Sequence, residues 1–183
     1  MSTPQQQWNS AYTAKRDFTW LKTNDLNFIL SSCNIAPKSW CLDIGCGTGQ
    51  VARDIFHRGN FVVGIDISEV AVNIAKSSTV YEGKGIEFKI LNIESQRLDQ
   101  KFDLITCKYV LPLLSDARTA LNNVQSMLNK QGYLVIINPN PLQTPPAKKH
   151  ISIPRTVTMS LLQSTFKNVQ FVERGQDDYY FCS

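Results

Sequence analysis

Apolar residues recur along this chain in two alternating rhythms, one helical and one continuous. Leu26, Ile29, Leu30 and Cys33 fall at helical spacing, which predicts an amphipathic helix over roughly Leu21 to Asn34, closed off before Pro37. A short apolar run follows at Trp40 to Ile44. Val51, Ala52, Ile55 and Phe56 then mark one face of a helix from about Gly49 to Arg58, with Gly59 as its stop. Phe61 to Ile65 is apolar throughout, as a parallel strand covered on both faces should be. Ser68 is placed to cap a helix bearing Val70, Ala71, Ile74 and Ala75.

Beyond the punctuation of Gly83 and Gly85, strands are expected at Ile86 to Leu91 and Phe102 to Cys107. Asp116 caps a helix reaching about Asn129, and Lys130-Gln131-Gly132 turns into a strand over Tyr133 to Asn138. Pro139, Pro141, Pro145, Pro146 and Pro154 exclude regular helix between them and predict an extended loop over 139–154. A short helix, about Met159 to Phe166, precedes a strand at Val169 to Glu173, a turn at Gly175-Gln176-Asp177 and a last strand at Tyr179 to Cys182. Strands alternating with helices imply an α/β fold, a doubly wound, mostly parallel sheet. The two closing strands have no helix between them, so they must pair antiparallel.

Composition narrows the class. At 183 residues the chain has the size of one domain, read here as an N-terminal segment 1–20 followed by a folded domain 21–183. No apolar run approaches the roughly 20 residues that cross a bilayer, and the polar start lacks a signal-peptide pattern. A cytoplasmic protein with no membrane partner is the expectation. The cysteines Cys33, Cys41, Cys46, Cys107 and Cys182 contain no Cys-x-x-Cys pair, which argues for reduced thiols and against a structural metal. A net charge of +4 permits an anionic partner without demanding one. Lys148, Lys149, His150 and Arg155 form the basic cluster that could meet a phosphate or carboxylate.

The chemistry concentrates in Leu42-Asp43-Ile44-Gly45-Cys46-Gly47-Thr48-Gly49, a carboxylate at a strand end directly before a glycine-rich turn. Gly45, Gly47 and Gly49 allow positive φ and close approach of a ligand to the backbone, which marks a nucleotide-binding turn. Asp43 would repel a pyrophosphate but attract an ammonium or sulfonium. Gln50 stands where a dinucleotide fingerprint wants its third glycine, a second mark against NAD and FAD. Cys46 contributes its backbone, since no basic neighbour activates its thiol.

These residues resemble the class I S-adenosylmethionine-dependent methyltransferase family over about residues 20 to 182. The resemblance implies a Rossmann-like sheet of seven strands with the last antiparallel, and S-adenosylmethionine as cofactor. Within Val62-Val63-Gly64-Ile65-Asp66-Ile67-Ser68 it assigns Asp66 to the ribose hydroxyls, and in Leu91-Asn92-Ile93 it assigns Asn92 to the adenine amino group. Ile67 and Ile93 would sandwich the adenine, and the backbone at Cys107 would face the methionine end. Asp103, near the start of its strand, reads as structural.

The acceptor half of such a site is less legible. Tyr109, Asn138 and His150 are candidate substrate contacts, with Tyr12 in an N-terminal lid that includes Trp8, Phe18 and Trp20; packing against the core explains those aromatics equally well. No catalytic base is assigned. Asn138-Pro139-Asn140-Pro141 is similar to the Asn-Pro-Pro-aromatic motif of amino-group methyltransferases, but it follows strand five instead of strand four and lacks the aromatic. A small-molecule acceptor is the leading expectation. RNA and a non-catalytic cofactor-binding module are the alternatives, and oligomeric state is open.

Overall fold

The computed structural model describes residues 2–16 and 21–183, apart from the side chains of Ala147, Lys148 and His150. Phe18 and Trp20 lie outside the described residues. The chain forms two compact units, Met1–Ile93 and Glu94–Ser183.

The first unit opens with helix α1, Pro4–Thr13, which begins at a capping box: Thr3 accepts from the Gln6 N–H while the Gln6 side chain accepts from the Thr3 N–H. Pro4 at the first helical position loses nothing by lacking its N–H. Helix α2, Thr23–Ser32, buries Leu26 and Ile29. Strand β1, Trp40–Ile44, leads through the glycine turn to α3, Gln50–Phe56; β2, Phe61–Asp66, leads to α4, Glu69–Ser77, and then β3, Ile86–Ile90. The Ser68 side chain caps α4 by accepting from the Ala71 N–H. Parallel registers pair Ile44 with Ile65 and Asp66 with Ile90, which brings the carboxyl ends of all three strands to one edge.

The second unit begins with β4, Phe102–Lys108, followed by α5, Ala117–Met127, capped by Asp116 as expected. Strand β5, Leu128–Pro139, starts directly where α5 stops, so Lys130-Gln131-Gly132 lies within an irregular strand instead of forming a separate turn. Gly132 explains the irregularity: a Cβ there would meet the Phe102 carbonyl oxygen at 2.7 Å. Asp103 is structural, accepting from the Asn129 side chain at 2.6 Å.

The proline-rich segment is not wholly extended. Pro139 is the last residue of β5, and Pro146–Ile151 forms a 3-10 helix whose first positions need no N–H. Helix α6, Arg155–Gln163, starts four residues before the predicted Met159, directly after Pro154. Strands β6, Val169–Arg174, and β7, Asp177–Cys182, form the predicted antiparallel hairpin around Gly175-Gln176. The seven strands run in the order β3-β2-β1-β4-β5-β7-β6; β1, β2 and β3 pair parallel, as do β4 and β5, and β7 is antiparallel to both its neighbours.

Candidate functional site

The glycine turn of the first unit is tied to the end of β2. The Cys46 N–H donates to the Ile65 carbonyl at 2.9 Å, and the Gly47 N–H donates to Asp66 Oδ2 at 2.9 Å. Asp66 Oδ1 accepts from the Ser68 N–H at 2.8 Å, so one carboxylate organises the turns after both β1 and β2. Both of these bonds come from backbone N–H groups, of which a carboxylate can accept several at once. Asp43 and Asp66 are 3% and 7% exposed. Such burial makes each carboxylate's charge felt strongly by anything cationic that approaches.

Gly45, Gly47 and Gly49 all have positive φ, as the turn demands. One of them also makes room for the protein's own core. At Gly49 a Cβ would lie 2.7 Å from the Phe88 ring and 2.9 Å from the Arg53 guanidinium, and at Gly64 it would lie 2.7 Å from the same ring. Gly49 therefore makes room for the buried Phe88 and caps α3 in the left-handed conformation. Cys46 is fully buried, and burial beside Asp66 and Asp43 raises its thiol well above the usual range. It is a small packing side chain, as its sequence context indicated. Burial likewise pushes Cys33 and Cys182 up to about 12, consistent with inert thiols. Ile67 and Asn92 are half-buried at the ends of β2 and β3, beside the buried Ile93.

Three residues here were not anticipated. Arg53 holds the turn by donating to the Thr48 carbonyl at 2.8 Å. Gln50 accepts from the Leu21 N–H at 3.3 Å, a structural duty beyond its bearing on dinucleotides. Asn9 of α1 accepts from the Ser68 hydroxyl at 2.7 Å, and Tyr12, one turn further along α1, is buried. The Thr3-Pro4-Gln5-Gln6 capping signature would have revealed α1, and with it the face that carries Asn9 and Tyr12.

In the second unit, Cys107 is buried near the end of β4. Tyr109, just past that strand, adopts φ +61, a genuine outlier for a bulky residue. Its N–H donates to the Ile137 carbonyl, its hydroxyl to Asp177, and the Lys108 ammonium lies 3.4 Å from its ring centroid. Burial and the Asp177 carboxylate raise its phenol pKa, so it stays protonated. Asn138 is 1% exposed near the carboxyl end of β5, and among the described residues no protein group bonds either its Nδ2 or its Oδ1. Its register partner Asp178 is engaged by Arg155 through two bonds of 2.7 and 2.8 Å. His150 falls in the 3-10 helix, and its side chain lies outside the description.

That engagement removes Arg155 from the predicted basic cluster. Asp178 and Glu173 hold its guanidinium and raise its pKa further, while the Lys149 ammonium donates to the Pro141 carbonyl at 3.2 Å.

The sheet order and the glycine turn locked to an acidic strand end define a nucleotide-binding α/β enzyme fold, and a profile for the methyltransferase domain matches residues 36–179. The chain belongs to the class I S-adenosylmethionine-dependent methyltransferase family, whose cofactor is S-adenosylmethionine. It is 30% identical over 122 residues to the ubiquinone biosynthesis O-methyltransferase of Marinobacter nauticus, covering 63% of this chain and 51% of that protein. The chain thus spans about half the length of such relatives. Among solved structures it is similar to the magnesium protoporphyrin IX methyltransferase of Synechocystis with bound S-adenosylmethionine, with TM-score 0.69, 15% identity, and 98% and 95% of the two chains covered. The N-methyltransferase NodS of Bradyrhizobium japonicum gives TM-score 0.66 at 24% identity over 87% and 90% of the two chains.

Proposed function

We propose that this chain transfers a methyl group from S-adenosylmethionine to a hydroxyl oxygen of a small molecule, and that Asn138 reads that acceptor. When bound, the cofactor supplies an electrophilic methyl on a positively charged sulfur. The residues present suit it, because two buried carboxylates match its ammonium and ribose hydroxyls where a pyrophosphate would be repelled. Asp43 would hold the ammonium, Asp66 the ribose, and Asn92 with Ile67 and Ile93 the adenine.

The observation that carries the acceptor reading is the Asn138 carboxamide, buried with neither polar atom bonded among the described residues. Leaving a buried polar group unmatched costs about 1 to 3 kcal/mol, so the group calls for a partner. An open donor beside an open acceptor is matched by a hydroxyl, which accepts and donates at once. The O-methyltransferase name of the sequence relatives points the same way. An RNA acceptor is disfavoured, since Arg155 is committed to two carboxylates.

The direct test is to supply methyl-labelled S-adenosylmethionine with a metabolite extract and with total RNA. Label in hydroxylated small molecules supports the reading, and label confined to RNA defeats it. Asn138→Leu separates recognition from folding: thermal stability should hold or rise, because an unmatched amide is replaced by an apolar group, while KM for the acceptor rises about tenfold or more. A drop in stability with unchanged KM would make Asn138 merely structural. Asp43→Ala tests the cofactor half. Calorimetric titration should show S-adenosylmethionine weakened by about ten- to a hundredfold, the loss of one bond to a charged group, and unchanged affinity would refute the charge assignment.

A further inference from the structure

Helix α1 reaches the ribose end of the first unit through one side chain. Asn9 and Tyr12 lie three residues apart and so share a helix face, and Tyr12 is buried while α1 packs along α4. From that face Asn9 Oδ1 accepts from the Ser68 hydroxyl at 2.7 Å and from the Val70 N–H at 3.4 Å. Ser68 is fully buried, and its own N–H donates to Asp66 Oδ1 at 2.8 Å. An unbroken series of hydrogen bonds therefore runs from Asn9 through Ser68 and Asp66 to the Gly47 N–H of the glycine turn.

A serine hydroxyl has one proton to give. Here it goes to Asn9, while the Ser68 oxygen faces the Ala71 N–H as the cap of α4. The bond from Ser68 to Asp66 comes from its backbone N–H. With Asn9 gone, that proton has a buried carboxylate two residues away as the strongest acceptor in reach, since bonds to charged groups are roughly twice as strong as neutral ones. A hydroxyl turned onto Asp66 would compete with ribose hydroxyls for the same oxygens.

We infer that Asn9 is a positioning residue for the cofactor, holding the Ser68 proton away from Asp66 so that this carboxylate receives the ribose. The role rests on Asp66 meeting the ribose, as proposed above, and it gives the N-terminal helix a defined task. Asn9 touches no reacting atom; it acts through Ser68.

The test compares adenosine with 2′,3′-dideoxyadenosine, titrated calorimetrically into the full chain and its variants. Wild type should prefer adenosine, and Asp66→Ala should abolish the preference. A preference that survives in Asp66→Ala would overturn the ribose assignment itself, independently of Asn9. Given that control, Asn9→Ala should weaken adenosine by about tenfold with dideoxyadenosine unchanged. Asn9→Asp, which keeps an acceptor oxygen beside Ser68, should restore adenosine binding. Equal weakening of both nucleosides in Asn9→Ala would reduce Asn9 to a structural contact, and no weakening of either would remove it from the site. Should Asn9→Ala fold poorly, Asn9→Leu tested on the same pair of nucleosides decides the matter in the same way.

Discussion

Replacing Arg155 by methionine is expected to destabilise the protein by about 3 kcal/mol, read as a lower urea midpoint with an unchanged slope. The methionine keeps most of the apolar stem and removes the guanidinium, which bonds Asp178 at 2.7 and 2.8 Å and Glu173 at 2.7 Å. Asp178 is 0% exposed, so its charge would be stranded. Losing one partner of a buried pair costs about 3 to 5 kcal/mol, and the low end applies because the Arg155 side chain is 27% exposed. Changing both partners, Arg155→Met with Asp178→Leu, should recover most of the loss, because no buried charge is left behind. A single variant within about 0.5 kcal/mol of wild type would mean that the pair contributes only as a surface bridge does.

Gly49→Ala should be nearly as damaging. Its φ of +85 imposes about 1 to 2 kcal/mol on any residue with a Cβ. The new methyl would also lie 2.7 Å from Phe88, whose ring is 1% exposed and enclosed, adding about 1 to 3 kcal/mol of overpacking. Phe88→Leu offers a way to separate the two. In that background the Gly49→Ala cost should fall to the backbone share alone, and an unchanged cost would show that the ring contact is not the cause. Cofactor affinity should fall in parallel, since Gly49 joins the glycine turn to α3.

What could be read from the chain depended on how local the cause was. Strand and helix order followed from apolar periodicity, and the Ser68 and Asp116 caps from side chains acting within three residues. Asp66 was readable as a strand-end carboxylate, while its bonds to both turns were not, because they depend on where β1 ends beside β2. The sequence predicts too short an α6 because Thr156, Val157 and Thr158 are weak helix formers. Arg155 anchors its first turn to Asp178, 23 residues later, and no local rule sees that. The 3-10 helix was hidden for a related reason: prolines were counted as breakers, although at a helix start they cost nothing. Asn138 was singled out for its place after strand five; that its amide is buried and unmatched emerges only from packing.

Strand order also carries a consequence for synthesis. β7 lies between β5 and β6, so β6 has no strand to pair with until β7 has been made. Its partner strand also brings the Asp178 that Arg155 requires. Until then, the carboxyl-terminal half presents an open sheet edge, and Arg155 has Glu173 but not its buried partner. Truncating the chain just before Asp177 should accordingly yield a protein that associates with its neighbours instead of closing on itself.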